Sequence, residues 1–180
     1  LVFFFQAMLA LIQYQSSAEA LQQIVFWSMG SLTRANWAAN GVLAAVLIIA
    51  LPILWALGWR LTALRLGDAR ATAMGVNTSR LRIVVLIVVS LVAATTVAFA
   101  GIIGFIGLVG PHIARMLVGE DQRYFLPASM AAGAAVMCAA HAVSLMIKPG
   151  LAIPIGIVTS LLGVPFFIAI VMTRRRALWT

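Results

Sequence analysis

The chain holds two histidines, one cysteine and four carboxylates, set against twelve lysines and arginines. His112 and Arg115 lie three residues apart, which places them on one face of any helix that carries both. His112 could serve as a ligand or a proton relay; a hydrogen-bonded packing role is the simpler reading. His141 falls inside an apolar stretch, where an ionisable group marks a functional position by default. A neutral imidazole, however, costs far less to bury than a charge. A metal site usually takes three or four ligands, so two histidines point to no metal, and no cofactor is expected. Cys138 is the single cysteine and excludes a disulfide within the chain. Glu19, Asp68, Glu120 and Asp121 all sit in connections or short surface helices, so no carboxylate falls inside a span. Ion-coupled carriers commonly place one near the membrane midplane. The HExxH, GxSxG and phosphate-loop patterns are absent from the sequence. No catalytic residue is assigned, the chain is not read as an enzyme, and if it takes part in active transport the energy comes from elsewhere.

The elements that position these groups follow from composition. Hydrophobic residues make up 64% of the chain and charged residues 9%, against about 45–50% and 25% in soluble domains. The mean hydropathy is +1.12. Continuous apolar runs near the ~20 residues that cross a bilayer call for helices, because barrel strands alternate in short segments. The fold class is therefore an all-α polytopic membrane protein. The opening run "LVFFFQAMLALIQY" carries no basic leader region and is read as the end of a span in a fragment, the C-terminal part of a longer permease. Ser16 and Glu19 are spaced as a capping box for a short helix to about Met29. Spans are expected over about 40–59, 83–100, 104–118 and 125–147, with a last one ending near Met172. Pro52 should kink the first of these, and Trp27 and Trp37 suit the membrane interface.

A formal charge of +8 could indicate nucleic acid, but the basic residues flank apolar spans, so no nucleic-acid partner is expected. If residues 60–82 are cytoplasmic, alternation brings "GEDQRY" and the C-terminus to the same side. Only Arg34 and Lys148 then face out, which satisfies the positive-inside rule.

Residues 60–82 are not patterned as a plain loop. Leu61, Leu64, Ala69, Ala73 and Met74 recur at helical spacing between arginines. Gly67 marks a break, Asp68 is placed to cap a second short helix, and Gly75 stands where a C-cap is expected. Two short amphipathic helices make either a docking surface for a soluble partner or a juxtamembrane element lying on anionic lipid. Gly101, Gly104, Gly107 and Gly110 recur every third residue, which on a helix lays bare backbone along one side for close packing. Gly110-Pro111 adds a bend.

"GFIGLVGPHIARMLVGEDQRYFLPAS", "LRLGDARATAMGV", "FWSMGSL" and "IPIGIVTSLLGVPFF" together resemble the FecCD family, the permeases of ABC importers for ferric siderophores, haem and cobalamin. The resemblance extends over nearly the whole chain, in the family's order. It implies a ten-helix permease of which 1–180 is the C-terminal half, about five and a half transmembrane helices, in the bacterial cytoplasmic membrane. It implies cytoplasmic ATP-binding subunits, a periplasmic or extracellular substrate-binding protein, and a second permease subunit or fused half as partners. Residues 60–82 resemble the coupling helices, with Leu66, Gly67, Ala69, Met74, Gly75 and Val76 on motif positions and Asp68, Arg70 and Ala73 among them. Gly101, Gly104, Phe105, Gly107, Gly110, Pro111, His112, Gly156, Thr159, Gly163 and Pro165 are implied in helix packing and the pathway. The chain departs from the family's pattern at His141, Leu145 and Ala152. Arg34 and Lys148 are then the outer positive charges left to grip a binding protein. The alternatives are an ion-coupled secondary transporter and an intramembrane enzyme built on His112 and His141; stable binding to a soluble ATPase separates both from the first reading.

Overall fold

The computed structural model describes residues 1–147 and 153–176, and Lys148 and Ala152 therefore lie outside the described residues. Among the described residues the chain forms nine helices and no strand: α1 (Val2–Gln15), α2 (Ala18–Ser28), α3 (Trp37–Ala56), α4 (Gly58–Leu64), α5 (Asp68–Ala73), α6 (Thr78–Ala100), α7 (Ile106–Val118), α8 (Gln122–Ile147) and α9 (Ile155–Arg176). The run "IVVLIVVSLV" in α6 is rich in β-branched residues that would favour a strand in water. In hydrocarbon each unpaired backbone group costs several kcal/mol, so the helix, which pairs them all internally, prevails. α3, α6 and α8 have 20, 23 and 26 residues, and at about 1.5 Å per residue each reaches the ~30 Å of a hydrocarbon core. Their flanks are largely exposed apolar side chains, as a lipid-facing surface requires.

Polar side chains set several helix starts. Asn36 Oδ1 accepts the Ala39 N–H at 2.7 Å and opens α3. Asn77 Oδ1 accepts the Arg80 N–H at 3.0 Å, so α6 begins at Thr78 and takes in the last residues of the predicted 60–82 loop. The expected capping box is not formed. Ser17 caps α2 by accepting the Ala20 N–H, while the Ser16 hydroxyl donates back to the Ile12 carbonyl at 2.6 Å and closes α1. With the cap one residue later, Glu19 falls at the second helical position, where it cannot reach back to complete a box.

The predicted strip of four glycines is also overturned. α7 starts at Ile106, so Gly101 and Gly104 lie outside it, and only Gly107 and Gly110 are helical. Gly101 adopts φ 75° and stops α6, a conformation open to glycine and strained for other residues. α7 is 13 residues long, about 20 Å, and Pro111 lies inside it.

A three-residue connection folds α7 back on α8, and the two pack backbone against backbone. A Cβ on Gly110 would stand 3.0 Å from Gly133 Cα and 3.1 Å from the Ser129 carbonyl oxygen. Ala114, one turn on, is completely buried. This is the small-residue contact expected between helices in a bilayer, where only close van der Waals fit and polar bonds favour association.

The helices define two ends. α6 carries the chain about 35 Å from α5 to the 29–31 turn, where the Ser31 N–H donates to the Ala100 carbonyl at 2.9 Å. α4, α5 and the α7–α8 turn lie at one end. The 29–36 turn, the 100–105 segment and the start of α9 lie at the other.

Candidate functional site

At the first end, α4 and α5 form a small knob with its own core. Ala63, Ala71, Val76 and Leu81 are buried together, with Leu57, Leu61, Leu64 and Val85 packed around them. Gly67, at φ 96°, turns the chain between the two helices. Gly75, at φ 82°, ends α5. There the Val76 N–H donates to Ala71 O at 3.0 Å and the Gly75 N–H to Thr72 O at 2.9 Å. That is the paired closure of a glycine-terminated helix, sealed by Val76 on Ala71. The expectation for Gly75 is met; that for Asp68 is not. Gly67 occupies the cap position, without a side chain to cap with, and Asp68 is the first residue of α5. Its carboxylate accepts from Arg82 of α6 at 2.7 Å instead. Of the nine residues assigned to the coupling motif only Val76 is buried; Leu66, Gly67, Asp68, Ala69, Arg70, Ala73, Met74 and Gly75 are all exposed. Leu66 and Met74 show 54% and 53% of their surface.

The knob is tied to the α7–α8 turn through contacts that the sequence reading did not anticipate. Arg65 pairs with the Glu120 carboxylate and donates to the Glu120 main-chain oxygen at 3.1 Å. Arg115 reaches the same carboxylate at 3.3 Å and lies over the Phe125 ring. The Thr62 hydroxyl accepts the Gln122 N–H at 3.1 Å. The available signal was opposite charge in two connections assigned to one membrane face.

At the other end three segments distant in sequence meet at glycines. The Ile155 N–H donates to Gly30 O at 3.2 Å and the Gly156 N–H to Met29 O at 3.1 Å. A Cβ on Gly156 would overlap the Met29 carbonyl oxygen, and one on Gly101 would come within 2.9 Å of Gly30 Cα. Gly30 itself, at φ 70°, has Ile102 O only 2.8 Å from where a Cβ would sit. A core of Ala140, Ile155 and Val158 with Leu32, Ile103, Met137 and Ile153 lies beneath. The Ser144 hydroxyl donates to Ile153 O at 2.6 Å. Gly30 was not assigned a role from sequence, because its contacts are made by residues far along the chain.

Phe105, at φ 66°, is the one non-glycine residue with positive φ among the described residues. Its ring fills the space a side chain at Gly163 would need. Thr159 is 2% exposed and its hydroxyl donates to Gly156 O at 3.2 Å. Phe105, Thr159 and Gly163 line a cavity of about 130 Å³ between α7, α8 and α9. The His112 ring meets Phe166 edge-on, centroids 5.6 Å apart, so His112 faces α9 whereas Arg115 turns to α8 and Glu120. No group of His, Cys, Asp and Glu fit to hold a metal occurs among the described residues. An open groove of about 740 Å³ brings together Gly104, Gly156 and Pro165 with Met29, Ile102 and Ser160. Gly107 lies apart from all these sites, with open space where a Cβ would be. Arg34 is exposed in the 29–36 turn.

Long apolar spans, an exposed knob at one end and a glycine-built junction at the other define a multi-pass helical membrane protein. The FecCD transport family model matches residues 1–173, and the chain belongs to that family. It is similar to the hemin transport system permease protein HmuU of Yersinia pestis, 36% identical over 94% of this chain and 51% of the relative. It is similar also to the molybdate import system permease protein MolB of Haemophilus influenzae, at 38% over 96% and 51%. The Fe(3+)-citrate import system permease protein YfmE of Bacillus subtilis is 40% identical over 84% and 46%. A solved chain described as an inward-facing metal-chelate type ABC transporter superposes with a TM-score of 0.89 at 37% identity, covering 94% of this chain and 55% of that one. The chain thus spans about half the length of the relatives it matches.

Proposed function

We propose that this chain is the C-terminal part of a permease that forms the pathway of an ATP-driven importer for an iron–siderophore or related metal chelate. The observation that carries this reading is the α4–α5 knob. It presents Leu66 and Met74 to solvent from a pair of helices held rigid by their own core and a glycine closure. Apolar side chains displayed in this way fit a soluble partner that covers them. A partner that binds ATP is supported by the solved relative described as a metal-chelate type ABC transporter, and a chelate cargo by that description and by the relatives named for hemin and Fe(3+)-citrate, while the relative named for molybdate widens the cargo class. ATP-driven closure of those subunits pushes on the knob, the packed helix pairs tilt, and the pathway opens to one side at a time. The knob, the α7–α8 turn and the C-terminus are cytoplasmic in this reading, since that places ten of the twelve basic residues inside. Arg34 and Lys148 are the positive charges that this reading assigns to the outer side, to grip acidic residues of a substrate-binding protein. The groove at Gly104, Gly156 and Pro165 belongs to the pathway or to the contact with the second permease unit.

The test is crosslinking in the full-length permease, in membranes, with its ATPase. A cysteine replaces Ala69 or Arg70 in a Cys138→Ser background, with a second cysteine in the ATPase surface groove. The expected result is a crosslink whose yield changes with ATP. Its absence, with both proteins present and folded, would sink the reading and leave the knob as a lipid-surface element.

A further inference from the structure

We propose that Glu120 is the residue that passes motion of the α4–α5 knob into the membrane-spanning helices. The proposal rests on the reading of that knob as the ATPase-coupling element. The contacts of the knob divide into two kinds. Its interior is apolar and closed on itself through Ala63, Ala71, Val76 and Leu81. α5 is linked onward by Asp68 to Arg82, within the helix α6 that directly continues the chain. The link from α4 to a helix pair distant in sequence has a packed part, buried Gly58 against Arg123 of α8, and a polar part that converges on the α7–α8 turn. The Glu120 carboxylate takes Arg65 from the end of α4 and Arg115 from the last turn of α7. The main-chain oxygen of Glu120 takes a second Arg65 nitrogen at 3.1 Å, and Thr62, one turn before Arg65, holds the Gln122 N–H at 3.1 Å.

Two features make this clasp a mechanical link rather than a stabilising one. The paired side chains are 37–51% exposed, and ion pairs so exposed to solvent add little to folding stability. The glycines at φ 96° and 82° that bound α5 leave it joined to its neighbours by turns, whereas the clasp gives α4 direct purchase on α7 and α8. Those two helices touch backbone to backbone at Gly110 and Gly133, so a push on their shared turn moves both together. α7 carries Phe105 at its far end, seated on Gly163 of α9. The contiguous series α4, Glu120, α7–α8, Phe105, α9 joins the knob to the groove residues at the opposite end. A series of contacts by itself demonstrates no coupling, and Glu120 is where its polar part can be cut while the Gly58–Arg123 packing and the apolar interior are left in place.

The experiment uses the full-length transporter in proteoliposomes with its ATPase, in a Cys138→Ser background. The wild-type Ala69→Cys crosslink to the ATPase is scored first and by itself decides the coupling reading. Glu120→Gln is then expected to keep that crosslink and most of the ATP hydrolysis, while transport per ATP falls at least tenfold. Transport per ATP within twofold of wild type would overturn the proposal. Loss of the crosslink in Glu120→Gln would overturn it too, because the clasp would then only shape the docking face. The second variant pairs Arg65→Cys with Glu120→Cys and needs no fold-preserving isostere. Transport is expected to be low with free thiols and to recover when a short bis-methanethiosulfonate reagent joins them, each cysteine thiolate displacing a sulfinate. Transport that is indifferent to the crosslink, or blocked by it, would refute a link that stays closed through the cycle.

Discussion

A methyl group at Gly156 has nowhere to go. It would meet the Met29 carbonyl, which is itself held by the Gly156 N–H, so backbone rather than a flexible side chain would have to yield. Overpacking of this kind costs about 1–3 kcal/mol, and a rigid neighbour puts the site at the upper end. Gly156→Ala in the full-length permease should lower the melting temperature in detergent markedly. Gly107→Ala should be neutral or stabilising, because the space is open and alanine is the better helix former by about 1 kcal/mol. Phe105 allows a sharper comparison. Its φ of 66° costs any L-residue about 1–2 kcal/mol relative to glycine. Phe105→Ala and Phe105→Gly both remove the ring from Gly163, but only the glycine removes the strain. The glycine variant should therefore melt above the alanine variant; the reverse order would show that the strain is not real. The resemblance placed Gly156 and Phe105 among packing and pathway residues but gave no partner for either. A glycine is visible in a sequence, but which backbone comes to rest on it is not.

At the scale of elements, the knob shows why some features were readable and others were not. The apolar recurrence in 60–82 and the stop at Gly75 are local, and both the α4–α5 pair and its glycine closure follow from them. Asp68 was misassigned because an aspartate before a helix usually caps it, whereas here Arg82, across the knob, competes for the carboxylate. Gly75→Ala should speed amide exchange over α5, since the closure at φ 82° then carries a penalty of about 1–2 kcal/mol. Asp68→Asn should leave exchange nearly unchanged, because an exposed pair contributes about 0–1 kcal/mol. Exchange measured by mass spectrometry on the full-length protein separates the two. Equal effects would mean that the ion pair, not the glycine turn, maintains α5.

For the whole molecule, the two ends and their unequal charge predict sidedness. With Cys138 replaced, cysteines at Arg70 and Arg123 should react with an impermeant maleimide only after membranes are opened. A cysteine at Arg34 should react in intact right-side-out vesicles. The opposite pattern would invert the proposed topology. The helical class, the three long spans and the end shared by the 60–82 segment and the α7–α8 turn were readable from the sequence alone, whereas the span expected over 104–118 is the short helix α7. They depend on the solvent: hydrocarbon forces internal backbone pairing on any apolar run, and basic residues stay on one face. What only the tertiary structure decided is which small residues touch and which charges meet. The four glycines near α7 are equivalent in spacing, yet Gly101 closes a helix at the junction, Gly110 lies against Gly133, Gly104 borders the groove and Gly107 meets nothing. Glu120 is one of four carboxylates in the sequence and becomes a meeting point only when α4 and α7 are brought to the same turn. Solvent acts on each segment separately and so can be read segment by segment. Close packing and charge pairing act between segments, and their partners exist only once the chain has folded.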